Sequence, residues 1–511
     1  MNEALAEQLE RLPRLLAPHV LLVAGSLATG VLVSLPLSLL CARFTRLAAP
    51  VLALASLVQT IPALALLALM APLLGSIGVL PAFLALVIYS VMPIARNAIT
   101  GLREVDPALI EAARGVGMSE GQVLLRVRAP LALPTMLAGL RTATVWTVGL
   151  ATLSTPVGAR SLGNFIFSGL QTQNFTAVLV GCVAAAGLAL ALDALLALVE
   201  QAWARRRPAL ALVAGAVLAS GTAWAALREE PWRGGPAPLR IGAKTFTEQY
   251  ILARCIATQL EREGRAIELV ESLGSTVAFD ALVQGDIDVY VDYSGTLWAN
   301  YMKRSDTPGA ARVLAEVSDW LAREHGVECL GPLGFENAYA MALPRERAIE
   351  LGIDDVGDLV RHAPNMTLGG DYEFFARPEW AALRDRYGLG FKDRRSFDPS
   401  LMFRAVEMGE VDVLAAFSSD GRIAAYDLVV LDEPLEVLPP YDAVLLVSAR
   451  VAADPAARAA LLPLIGAIDS EAMRRANMQV DVEGQTVEAA AALLVPPTRP
   501  PAQREVEEDA K

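Results

Sequence analysis

Three histidines, His19, His325 and His362, and four cysteines, Cys41, Cys182, Cys255 and Cys329, are the side chains of this 511-residue chain best suited to nucleophilic, acid–base or metal chemistry. None lies in a nucleophile elbow or a zinc motif, and no two cysteines have a metal-ligand spacing. A phosphate-binding GxxxxGKS or GxxxxGKT loop is also missing, since Gly242-Ala243-Lys244-Thr245 lacks the preceding glycine. The sequence therefore reads as a non-enzyme with no catalytic residue, no metal and no cofactor, and any ATP it depends on is hydrolysed by another chain. All four cysteines read as packing residues; Cys255 and Cys329 could also pair outside the cell, which sequence separation does not decide.

The polar stretch Glu111 to Pro130, EAARGVGMSEGQVLLRVRAP, stands out because apolar segments flank it. Asp106 and Pro107 suit an N-cap followed by the first helical position, Gly117 can end that helix, and Ser119 with Gln122 forms a capping-box pair that starts a second. Such an ordered helix-turn-helix suits a protein partner. Its pattern, Glu-Ala-Ala, then Gly117, then a short helix to Pro130, resembles the EAA coupling loop of ABC importer permeases. That resemblance makes Glu111 a charge at the contact, Ala112 and Ala113 the small residues that let a cytoplasmic ABC ATPase subunit approach, and Gly117 the turn.

The composition, 54% hydrophobic, is too apolar for one soluble domain, and the apolarity is uneven. Residues 15–227 are rich in Leu, Ala and Val, whereas 239–495 carry charge at the density of a soluble protein. A net charge of −13, most of it in that second half, disfavours nucleic acid as a partner. The start, MNEALAEQLERLPRLLAPH, lacks the basic region of a secretory signal.

Apolar runs of membrane-spanning length occur near 18–42, 47–74, 79–99, 130–155, 174–199 and 208–227. Basic clusters at Arg43 and Arg46, at Arg96, Arg103, Arg114, Arg126 and Arg128, and at Arg205 to Arg207 fall on alternate sides of successive runs. Because cytoplasmic loops collect Lys and Arg, one topology puts all of them inside, with the EAA-like loop, and leaves the N-terminus and everything after Arg228 outside. In the second run, Gln59-Thr60-Ile61-Pro62 places polar groups and a helix breaker at membrane depth. It resembles the corresponding segment of betaine and choline permeases, and reads either as a proline kink or as part of a pathway. Asp193 and Glu200 read as interfacial charges.

After a Pro/Gly-rich linker, Leu239 to Ala243, 266–270 and Asp288 to Val291 are strand candidates alternating with helices from Thr247 to Arg262 and at 276–284. This alternation predicts a largely parallel sheet. ALVQGDIDVYVDYSGT, from Ala281, is answered by AVEMGEVDVLAAFSSDG, from Ala405, and RIGAKTFTE, from Arg240, by TLGGDYEFF, from Thr367. The echo predicts two similar α/β lobes with strand ends facing one cleft.

The segments IGAKTFTEQYIL, DVYVDYSGT, ENAYAMA, AFSSDG and LPPYDAV, spread over nearly all of 239–495, resemble the type II substrate-binding proteins of glycine betaine, choline and carnitine importers. In that family a permease is also found fused to such a domain. The resemblance implies an aromatic cage for a quaternary ammonium group, which has no hydrogen-bond donor and is held by ring faces. Its positions fall on Tyr293, Tyr339, Phe417 and Tyr441, with Phe417 where Tyr is common. It places Lys244, Thr296 and Arg377 at a ligand carboxylate, and Asn337 where some relatives carry Asp.

The expected fold class is therefore two-part: an all-α polytopic domain like a type I ABC importer permease, with about six spans, then an α/β two-lobed type II periplasmic-binding-protein domain. Expected boundaries are an extracytoplasmic segment at 1–14, the transmembrane domain at 15–200 with its coupling loop at 104–130, and the last span and tether at 201–227. A linker at 228–238, the binding domain at 239–495 and a disordered tail at 496–511 follow; lobe 1 takes 239–340 and 442–495, lobe 2 takes 341–441. The expected function is the permease and receptor of an importer for quaternary ammonium compounds, working as a permease homodimer with an ATPase in the cell membrane. A ligand-sensing membrane receptor that does not transport is the alternative.

Overall fold

The computed structural model describes residues 2–229, 237–304, 306–399 and 401–496. Residues 230–236 of the expected linker and 497–511 of the expected tail lie outside these. The backbone divides into two compact units, one made essentially of the first 235 residues and the other of the remainder.

The first unit is helical. It comprises α1 (Asn2–Arg43), α2 (Ala48–Thr60), α3 (Ala63–Leu74), α4 (Val79–Arg103), α5 (Pro107–Gly115), α6 (Glu120–Val123), α7 (Ala129–Thr152), α8 (Gly163–Gln171), α9 (Phe175–Ala204) and α10 (Pro208–Arg228). Among the described residues five helices are long and apolar enough to cross a membrane, α6 running on into α7 through one π turn. The second expected span is not one helix: α2 and α3 meet at 94°. With 13 and 12 residues, and a rise of about 1.5 Å per residue, neither reaches across a bilayer alone. Pro62 has no N–H to continue the ladder, and Ile61 and Pro62 are extended, with ψ of 127° and 133°. The Tyr89 hydroxyl on α4 donates to the Ile61 carbonyl at the break, so this backbone acceptor is satisfied.

Small residues set the helix spacing, as expected where lipid removes the usual hydrophobic drive between helices. A Cβ on Gly139 would come within 2.6 Å of Asn97, and one on Gly101 within 2.9 Å of Thr135, so α4 and α7 touch almost backbone to backbone.

The second unit is α/β, with strands β1 (Leu239–Lys244), β2 (Ile267–Leu273), β3 (Val289–Tyr293), β4 (Glu328–Glu336), β5 (Tyr339–Pro344), β6 (Thr367–Asp371), β7 (Asp393–Phe397), β8 (Val413–Phe417), β9 (Leu428–Val430) and β10 (Asp442–Val447). They form two five-stranded sheets, ordered β2-β1-β3-β10-β4 and β7-β6-β8-β5-β9. β1 pairs with β3, and β6 with β7 and β8, in parallel, but β10 runs antiparallel to β3 and β4, and β5 antiparallel to β8 and β9. The sheets are thus mixed rather than largely parallel, because the strands that follow the two crossings between lobes enter each sheet from the cleft side. Helix α11 (Thr247–Arg262) packs Tyr250, Ile251, Ile256 and Leu260 into the core of the first lobe, while Trp380, Leu383 and Phe374 help fill the second. Cys255 is buried in that core and Cys329 lies on edge strand β4; both are free, so the possible disulfide is not formed.

Candidate functional site

The strand ends carry the rings. Tyr293 ends β3, Phe417 ends β8, Tyr339 begins β5 and Tyr441 immediately precedes β10, so each points from a sheet edge toward the region where the chain passes between lobes. Tyr339 and Phe417 are ladder partners, with ring centroids 4.7 Å apart. Phe246, the N-cap of α11, joins them to the first lobe: its ring stacks at 5.9 Å from Phe417 and 6.2 Å from Tyr293. The ring series Tyr293, Phe246, Phe417, Tyr339 therefore runs from one lobe to the other.

Tyr441 stands apart from this series. Its ring lies over Gly295, where a Cβ would come within 2.8 Å of Cε1, so only glycine permits the approach. Its hydroxyl donates to Glu379, buried in the first turn of the helix Pro378–Tyr387 in the second lobe. Thr296 is buried in the single turn after Tyr293, beside that glycine. Burial pushes the hydroxyls of Tyr293, Tyr339 and Tyr441 well above the usual phenol range, which keeps them neutral donors.

The two cations are already paired. Lys244 Nζ sits 2.5 Å from Asp292 Oδ1, and both side chains are almost wholly buried. Asp292 is further held by the Tyr290 hydroxyl at 2.5 Å and the Tyr293 N–H at 2.7 Å. Lys244 also lies 5.6 Å from the Tyr293 ring centroid. Arg377 pairs with Glu373, approaches Glu379 at 3.8 Å, and stands 5.5 Å from the centroid of Tyr339. A ligand carboxylate would meet Lys244 only in competition with Asp292.

Asn337 lies in the crossing segment between β4 and β5, its N–H on the Tyr441 carbonyl and its Nδ2 3.0 Å from Glu248. Seven of the eight expected binding residues thus belong to one contact network, and Thr296 is buried in the turn beside it. Sequence reasoning missed several of its members, among them Phe246, Glu248, Asp292 and Glu379. Thr247-Glu248 reads as an ordinary helix start, and no local signal marks the carboxylate as buried.

Residues 237–494 match the family described as the substrate binding domain of ABC-type glycine betaine transport systems, and residues 34–205 match the inner membrane component of binding-protein-dependent transport systems. The ergothioneine transport permease/ergothioneine binding protein EgtU of Helicobacter pylori strain G27 is 31% identical over 447 residues, covering 83% of this chain and 79% of that protein. The choline transport system permease protein OpuBB of Bacillus subtilis is 38% identical over 183 residues, 36% of this chain and 84% of that one. A glycine-betaine-binding protein of Pseudomonas aeruginosa is 33% identical over 267 residues, 50% of this chain and 86% of that one. The chain belongs to the glycine betaine/choline-type ABC importers, as a permease fused to its substrate-binding domain.

In the permease half of this importer, the Asp106 side chain accepts the Ala108 N–H at 2.8 Å and so caps α5. Gly117 takes φ of +87°, and Met118 N–H closes on the Ala113 carbonyl, ending α5 at a left-handed residue. Ser119 and Gln122 form the reciprocal capping box of α6. Glu111, Ala112 and Gly117 are exposed. Ala113 is not: it packs with Val105, Ile110 and Val123 in the loop's own small core, so of the two alanines only Ala112 presents its face to solvent.

The permease also holds an ion triad that the sequence reading left out. Arg141 on α7 binds Asp193 through Nε and Nη2, at 2.8 and 3.0 Å, and Glu200 through Nη1 at 2.9 Å, both carboxylates coming from α9. Asp193 and Glu200, expected as interfacial charges, share one guanidinium; a charge in a membrane-spanning helix is held by such pairing.

Proposed function

We propose that this importer takes up a quaternary ammonium compound, held by Tyr293, Tyr339, Phe417 and Tyr441 together with Phe246. The observation that carries the reading is the ring series crossing from lobe to lobe, since each aromatic face contributes about 0.5–2 kcal/mol toward a desolvated cation. Arg377 and Thr296, with Lys244 where Asp292 yields it, receive the polar end of the ligand, and Asn337 borders the cationic end. The binding domain faces the extracytoplasmic side and the loop at 104–130 the cytoplasm, an orientation that the arginine distribution favours when the bent α2–α3 pair counts as one crossing. Two permease copies line the pathway. A separate ABC ATPase docks on Glu111, Ala112 and the Gly117 turn, and its nucleotide cycle switches access.

Calorimetry on the full chain in lipid nanodiscs, against glycine betaine, proline betaine, carnitine, choline and ergothioneine, tests the reading. At least one of these quaternary ammonium compounds binds, and Tyr293→Ala or Tyr441→Ala weakens it at least about tenfold, the loss of one good ring face. No binding across the panel, or unchanged affinity in both variants, overturns it.

A further inference from the structure

Glu248 lies in the first turn of α11, on the first lobe, and is 3% exposed. Four donors converge on its carboxylate. Oε1 accepts from the Tyr293 hydroxyl and from Asn337 Nδ2 at 3.0 Å; Oε2 accepts from Ser419 Oγ at 2.5 Å and Asn477 Nδ2 at 3.2 Å. Burial raises its pKa, against the downward pull of those four hydrogen bonds.

The donors come from both lobes. Tyr293 is a ring of the first lobe. Asn337 lies two residues before Tyr339. Ser419 lies two residues after Phe417, in the turn that leaves β8 of the second lobe. That turn is gripped again from the first lobe: Asn477, on the helix Ser470–Asp481, donates to the Ser419 carbonyl at 2.9 Å, and Arg474 to the Ser418 carbonyl at 3.0 Å. Gly421 sits so close to this helix that a Cβ would come within 2.6 Å of Met478 N. One carboxylate therefore fastens the side chain of one ring, Tyr293, and side chains that stand two residues from two others, Tyr339 and Phe417, on both lobes.

Given the cage reading above, on which this rests, we infer that Glu248 is a positioning residue of the binding site: it sets the spacing of Tyr293, Tyr339 and Phe417 across the cleft by holding Tyr293, Asn337 and Ser419 at once. A neutral amide of the same shape supplies one acceptor where the carboxylate supplies two, so at least two of the four donors lose their partner in Glu248→Gln. A purely local role in capping α11 would leave Ser419 and Tyr293 uncoupled.

The test uses the full chain in nanodiscs and two readouts. First, hydrogen–deuterium exchange without ligand compares Ser419→Ala with the parent. Exchange is expected to rise both in 413–421, which holds Ser419, and in 289–296, which Ser419 reaches by hydrogen bonds through Glu248; an unchanged 289–296 segment overturns the proposal. Second, affinities for glycine betaine, choline and ergothioneine are measured for Glu248→Gln, Tyr293→Phe and the double variant. Each single change weakens the tightest-binding probe, Glu248→Gln by at least about tenfold, and the double variant is no weaker than Glu248→Gln alone, whereas additive losses overturn the proposal. If none of the probes binds, the quaternary ammonium reading fails while the exchange experiment still decides the role of Glu248.

Discussion

Asp288 and Asp412 make the same connection in the two lobes. Asp288 Oδ2 accepts the Arg240 N–H at 2.9 Å and its own N–H donates to the Arg240 carbonyl at 2.7 Å; Asp412 Oδ2 accepts the Thr367 N–H at 2.8 Å and its N–H donates to the Thr367 carbonyl at 2.9 Å. Each aspartate thereby ties the strand that leads toward the cleft, β3 or β8, to the start of the strand beside it. The glycine three residues earlier, Gly285 or Gly409, takes φ of +77° or +70° and turns the chain into that strand. The two lobes are thus one unit built twice.

The two ties differ in backup, which gives a first prediction. Asp288 is also held by Ser448 at 3.2 Å and Arg450 at 3.1 Å, whereas among the described residues the Asp412 side chain accepts from Thr367 alone. Asp412→Ala leaves the Thr367 N–H without its acceptor and destabilises the second lobe by about 1–3 kcal/mol. Asp288→Ala frees a guanidinium and a hydroxyl as well, and costs more. Chemical denaturation of the full chain, followed at Trp380 in the second lobe's core against a background of Phe substitutions at the other tryptophans, measures the difference; equal losses for the two variants would contradict it.

Lys244 and Asp292 supply the second prediction. Their ion pair is almost fully buried, and breaking such a pair from one side leaves an uncompensated charge, at a cost of about 3–5 kcal/mol. Lys244→Met therefore lowers the thermal midpoint of the binding domain markedly, and the double change Lys244→Met with Asp292→Asn recovers most of the loss. If Lys244 served only the ligand, the single variant would melt like the parent and fail only in binding.

Much of this fold is legible in the residues because its signals are local. Asp106, Ser119 and Gln122 act over two or three positions, and the Gly-acid-aliphatic-Asp echo marks repeated backbone geometry. The rest depends on partners far away in the chain. Arg141 meets Asp193 and Glu200 across 52 and 59 residues, and nothing near Arg141 announces either. Glu248 looks like a solvated first-turn carboxylate until Ser419, 171 residues on, reaches it. The antiparallel strands are hidden for the same reason: alternating helix and strand describes each lobe, but not the two crossings that bring β5 and β10 in from the cleft. Periodicity can show that α2 and α3 are apolar, yet the 94° break depends on Pro62 and on a Tyr89 hydroxyl from another helix.

The exposed loop gives a third prediction. Glu111 is solvent-facing, and Gly117 holds a left-handed conformation with open space around its Cα, so substituting either perturbs the loop without disturbing a core. Glu111→Ala and Gly117→Val, the latter straining the turn by about 1–3 kcal/mol, abolish uptake in proteoliposomes loaded with the partner ATPase and ATP. Ligand affinity of the binding domain stays as in the parent. Normal uptake in both variants would remove the coupling role.

A fourth prediction concerns pH and rests on Asp481, at the end of the helix that grips the Ser418–Gly421 turn. Its side chain accepts from the Thr247 hydroxyl at 2.5 Å and faces Arg422 at 3.8 Å, with Asp420 and Glu248 adding negative charge nearby. Burial dominates and raises its pKa to about 7, Arg422 pulling the other way. A carboxyl whose folded pKa lies above its unfolded one binds its proton more tightly when folded, so its stabilising contribution is full below the ordinary carboxylate range and is lost as pH rises through about 7. Between pH 5 and pH 7 the slope approaches about 1.4 kcal/mol per unit, or about 2 kcal/mol over that window once partial titration is allowed for. Asp481→Asn cannot ionise, keeps an acceptor for Thr247, and flattens this part of the profile. Denaturation midpoints at pH 5, 6, 7 and 8 for the parent and Asp481→Asn check it: the parent loses ground to the variant as pH rises, and parallel profiles would show that Asp481 is ionised throughout.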